Sequence, residues 1–130
     1  MGLRSRRGRI AALCVMLGGS ACNHNASLES EAESLRQDTV PGEARELVVA
    51  PDKRDRVSVQ RAWTFRLDWD RGRYESWARE HVGREFTPEP AAHGLRFRRQ
   101  LPGDVQSLTI EPQQGAELLF VRVQFLSIAD

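Results

Sequence analysis

Histidine, carboxylate and serine side chains are the groups of this chain that could move protons, hold a metal or act as nucleophiles. His81 and His93 flank a stretch that holds Glu85 and Glu89, with Glu80 next to His81. An imidazole with a nearby carboxylate could serve as general acid or base if the fold closed both into one cleft. Zinc would need three or four converging ligands, and this spacing matches no known zinc pattern. Asp68 and Asp70, one residue apart, could share a divalent cation, but they stand just before a helical pattern, where a carboxylate caps free N–H groups. Ser76 and Ser107 lie in no nucleophile-elbow sequence and have no histidine and acid at a recognisable offset. No glycine-rich phosphate loop and no internal repeat is present. The sequence thus predicts no catalytic residue, no metal site, no cofactor and no enzyme; the alternative is a small periplasmic enzyme using His81 or His93 with a nearby carboxylate, or an inhibitor-like or structural spacer protein.

The elements that would position these groups centre on the stretch from Arg56 to Val82, which contains all three tryptophans and the only tyrosine. Between Val57 and Trp69 apolar residues fall mostly on odd positions, the period of a half-buried strand. Past Asp70, the residues Tyr74, Trp77, Ala78, His81 and Val82 follow i, i+3, i+4, i+7 and i+8, the stripe of an amphipathic helix that Gly83 stops. On that stripe His81 reads as a half-buried core residue. Glu85 to Gly94, with Pro88 and Pro90, reads as a loop. Three further strands follow: one on Leu95, Phe97 and Leu101, one on Leu108 and Ile110, and one on Leu119, Val121, Val123 and Phe125. Pro102-Gly103 makes the turn between the first two and Pro112 to Gly115 the next. The expected fold is α+β, one helix packed on a four-stranded antiparallel sheet in the order β-α-β-β-β.

In that arrangement Arg66, Arg96, Arg98 and Arg122 share the sheet face turned away from the helix, a basic surface suited to an acidic peptide, a phosphate or a glycan carboxylate. The whole chain is nearly balanced in charge, at +1, so nothing suggests a nucleic-acid partner. The tryptophans follow the core phase and supply no stacking platform either.

The N-terminal region carries an address. Arg4, Arg6, Arg7 and Arg9 precede a short apolar run from Ile10 to Leu17, then Gly18, Gly19, Ser20, Ala21 and Cys22. The run falls well short of the ~20 residues that span a bilayer, so it reads as an export signal. Ser20 and Ala21 before Cys22 resemble the lipobox of bacterial lipoprotein precursors, with Gly19 where that family prefers an aliphatic residue. The resemblance implies cleavage after Ala21 and lipid, palmitate included, on Cys22. It also implies attachment to the bacterial cell envelope through that lipid. Asn23 differs from the aspartate associated with inner-membrane retention, which favours the outer membrane facing the periplasm. The mature chain would then hold Cys22 as its sole cysteine, with no disulfide to form. The expected organisation is a signal peptide over 1–21, a lipidated cysteine and flexible tether over 22–55, poor in large apolar residues, and a domain over 56–130. Within the tether, Ser27 to Gln37 could form a transient helix and Leu47 to Ala50 a short edge strand. The function expected is that of a non-enzymatic binding or accessory module presenting its sheet face or an edge to an envelope protein or an anionic ligand.

Overall fold

The computed structural model describes residues 30–129. Two compact units emerge, Met1–Ser34 and Leu35–Asp130; of the first, 30–34 are described and form a turn of helix. The second unit holds the sheet. Its strands are β1 (Arg45–Val49), β2 (Lys53–Arg54), β3 (Ser58–Leu67), β4 (Thr87–Glu89), β5 (Leu95–Leu101), β6 (Asp104–Gln114) and β7 (Leu119–Ala129). The described helices are α1 (residues 30–39) and α2 (Arg71–Val82). Neither is long and apolar enough to cross a membrane.

The expectation of one helix on a four-stranded sheet is overturned. The sheet has seven strands in the order β1-β3-β7-β6-β5-β4, with β2 also on β3, all pairings being antiparallel. The additional strands are edge pieces that lack the alternation a half-buried strand shows. All five residues of β1 and both of β2 are exposed. Strand β4 contains Pro88, which removes a backbone donor and marks a run as edge or loop. Pro112 also departs from expectation: it is a buried residue of β6 and not part of a turn, and the chain reverses after it, with Gly115 N–H bonded to Leu118 C=O at 3.0 Å.

Four long strands supply the core. Trp63, Phe65 and Leu67 of β3, Leu95 and Phe97 of β5, Leu108 and Ile110 of β6, and Leu119, Val121, Val123 and Phe125 of β7 are all buried on one face. Tyr74, Ala78 and Val82 of α2 pack on it. Asp70 caps α2, its Oδ1 accepting from Arg73 N–H at 2.7 Å. Gly103, at φ 78°, makes the tight β5–β6 reversal that a Cβ would strain.

The end of α1 explains why a polar segment joins this core. Thr39 is fully buried. Its hydroxyl donates to Leu35 C=O at 2.8 Å and accepts from Trp63 Nε1–H at 2.9 Å, while its carbonyl accepts from the Tyr74 hydroxyl at 2.7 Å. Each buried aromatic thus finds a partner for its polar atom, as burial requires. Burial raises the Tyr74 phenol far above its ordinary pKa, so it remains a donor. Residues 35–54, inside the stretch expected to be a tether, therefore belong to the folded unit.

Candidate binding face

Residues paired across adjacent strands share a face, so the register fixes what the uncovered side presents. One row runs Arg66, Phe120, Gln113, and the next Thr64, Arg122, Glu111. A third runs Ala62, Gln124, Thr109, Arg96, Glu89, and a fourth Gln60, Leu126, Ser107, Arg98, Thr87. Arg66, Arg96, Arg98 and Arg122 are all exposed and all on this face, opposite the core residues.

They fall into two groups. Arg96 and Arg98 are two residues apart on β5, ~7 Å at strand spacing, and Arg66 and Arg122 are diagonal neighbours on β3 and β7, ~8 Å apart, whereas Arg66 and Arg98 are about 25 Å apart by the same spacing. Arg66 is engaged: its Nε is 2.8 Å from Glu46 Oε2, and its Cζ is 5.6 Å from the centre of the Phe120 ring. Arg96, Arg98 and Arg122 form no ion pair among the described residues. Glu89 stands opposite Arg96, whereas Arg98 stands between Ser107 and Thr87. The β5 pair therefore carries surplus positive charge beside two hydroxyls, a donor set for a carboxylate or phosphate.

Where β6 outruns β5, the sheet is notched. Arg71, His93, Gly94, Pro112 and the tail of β6 surround a cleft of about 330 Å³. A hollow of about 60 Å³ adjoins it on the uncovered face, lined by Phe120, Arg122, Glu111 and Gln113, the last two common to both. Gly94 sits at φ 71°, so close to β6 that a Cβ would lie 2.2 Å from Ile110 O.

The two histidines are not brought together. His93 lines the notch beside Arg71, at the start of α2. His81 lies ten residues further along α2, about 15 Å at helical rise. Its ring stacks on Trp77, centroids 4.1 Å apart, and its Nδ1 lies 2.8 Å from Trp77 C=O. Because a carbonyl only accepts, Nδ1 must carry the proton. Asp68 and Asp70 do not converge with other ligands either: no group of three or more His, Cys, Asp or Glu that could hold a metal exists among the described residues. Ser76 is exposed on α2, and Ser107 is half-buried between Arg98 and Leu126 on the open face. Ser20, Ala21 and Cys22 lie outside the described residues.

Sequence reasoning missed a polar cluster at one end of the covered face. Gln106, fully buried, donates from Nε2 to Asp104 at 3.0 Å and accepts from Arg99 Nη2 at 2.6 Å. Ser127 Oγ donates to Asp104 at 2.7 Å, Arg99 reaches Glu85 at 3.2 Å, and Arg99 Cζ lies 4.4 Å from the Phe86 ring centre. A polar residue on each strand's apolar phase was the available signal. The network ties β5, β6 and β7 together. Comparison with known proteins gives no relative to set beside this geometry: no family model, no curated protein and no solved structure matches the chain.

Proposed function

We propose that this chain is a lipid-anchored protein of the bacterial envelope. In this reading it is a non-enzymatic binding module that holds an anionic partner on the uncovered face of its sheet. The export and anchoring half rests on the basic start, the short apolar run and Ser20-Ala21 before Cys22; the outer membrane facing the periplasm is the membrane that Asn23 favours. The binding half rests on one observation: Arg96 and Arg98 are exposed side by side on the open face, without an ion pair among the described residues. Two exposed guanidinium groups, that of Arg98 flanked by the Thr87 and Ser107 hydroxyls, suit a partner carrying carboxylates or phosphates, bound weakly and with strong salt dependence, since such charges are screened over ~8 Å at physiological ionic strength.

Mass spectrometry of the membrane fraction tests the anchor. The expected species begins at Cys22 and carries lipid; an N-terminus at Met1 would contradict export, and an unmodified soluble chain would remove the lipid. Titration of the full chain with poly-glutamate at rising salt tests the face. Binding that weakens steeply with salt is expected, and binding indifferent to salt would contradict a charge-based surface.

A further inference from the structure

The geometry points to a subsite for a sugar acid in the notch at the end of β6: a hexose-sized ring in the larger cleft with its carboxylate beside Arg122. This rests on the reading of the uncovered face as a binding face and adds the chemical class of one ligand.

Strand β5 begins at Leu95 opposite Ile110, while β6 continues to Gln114 with β7 alone beside it. The missing length of strand leaves the cleft. At about 330 Å³ it lies at the small end of the range for small-molecule pockets, ~300–1,000 Å³, enough for a single sugar ring. The hollow of about 60 Å³ is too small for a ring and large enough for a carboxylate. Glu111 and Gln113 line both, so the two are neighbours, and the proposed ligand bridges them.

The side chains decide the ligand's chemistry. The cleft's lining is mixed: apolar surface, to which Pro112 and Gly94 contribute, alternates with the His93 imidazole, the Gln113 and Gln114 amides, the Glu111 carboxylate and the Arg71 guanidinium, whose Nε donates to Glu75 at 3.0 Å. A ring bearing hydroxyls beside C–H groups matches such a mixed lining, because it offers donors, acceptors and apolar edges together. The apolar element of the hollow is the half-buried Phe120. In its row it stands between Arg66 and Gln113, so Arg66 approaches from the β3 side and the β6 side walls the hollow that takes the carboxylate. Arg122 has no ion pair among the described residues and stands opposite Glu111 in register. A ligand with one carboxylate and neighbouring hydroxyls meets both, the carboxylate on Arg122 and a hydroxyl on Glu111. A multiply charged anion is disfavoured, because Glu111 would repel it.

Amide shifts of the ¹⁵N-labelled full chain, titrated separately with glucuronate, glucose and acetate, test this site. Glucuronate is expected to shift Gln113, Gln114 and Phe120 saturably, more tightly than either glucose or acetate. Arg122→Gln should weaken glucuronate binding about tenfold while leaving glucose unchanged, as loss of one charge-assisted contact requires. Gln113→Ala should weaken both sugars. No shift at these residues with glucuronate, an unchanged affinity in Arg122→Gln, or acetate binding as tightly as glucuronate would each overturn the sugar-acid site. Salt-sensitive poly-glutamate binding that persists while glucuronate fails would remove this subsite alone. Loss of both would bring down the binding face with it.

Discussion

Thr39 shows most clearly how a single side chain ties a polar segment to the core. Its hydroxyl is the acceptor for Trp63 Nε1–H at 2.9 Å, within a fully buried site. Thr39→Val keeps the shape and removes the acceptor, leaving a buried N–H unpaired at a cost of about 1–3 kcal/mol. Thermal unfolding should show a midpoint several degrees lower, and an unchanged midpoint would contradict the role given to this hydroxyl. Asp38, one residue earlier, offers a pH test. Burial raises its carboxyl above the ordinary value, with Glu85 adding to the rise and His81 and Arg84 opposing it. Its folded pKa thus exceeds its unfolded one. The ionised form costs stability at neutral pH, and the cost disappears as pH falls through the raised pKa toward the unfolded value. Asp38→Asn should therefore raise the unfolding midpoint at pH 7 and leave it nearly unchanged at pH 3. A change of equal size at both pH values would contradict ionisation of this carboxyl as the cause.

Elements with a clear period were legible in the chain, and elements without one were not. Strand β3 and helix α2 follow the apolar phases of 57–69 and 74–82, and Asp70 is the cap that the D-x-D spacing suggested. Strands β2 and β4 carried no such signal, and β1 only the short edge strand expected over Leu47 to Ala50, because a strand with an exposed face and a free edge buries too little to constrain its residue types. Glu46 adds to this with φ 53°, where β1 shifts register against β3. Pro112 was misleading for a related reason: proline usually marks a turn, but beyond the end of β5 one edge of β6 is free and a missing donor is tolerated. The notch depends on Gly94. Gly94→Ala would place a Cβ 2.2 Å from Ile110 O at a φ of 71°. The expected loss is about 1–3 kcal/mol, as for strained backbone in general. Amide exchange at the start of β5 should quicken with it. Retained stability and exchange would show that the β5–β6 spacing can relax.

At the scale of the whole molecule, the two faces of the sheet differ in what covers them. One face is closed by α2 and the end of α1, and its polar cluster around Gln106 ties three strands together. The other is open, and the four arginines expected to share a face do so. Their separation into a β5 pair and a β3–β7 pair could not be read from the sequence, because it depends on strand order and register. The adjacency of Glu111 to Arg122 and of Glu46 to Arg66 was hidden for the same reason. The β5 pair is the centre of the functional account, and Arg96→Gln with Arg98→Gln in the full chain tests it directly. Poly-glutamate binding is measured at low salt beside the thermal midpoint. Binding should fall at least about tenfold with the midpoint nearly unchanged, because both side chains are exposed and form no ion pair among the described residues. Undiminished binding in the double variant, or a domain that unfolds because of it, would contradict the assignment of this face.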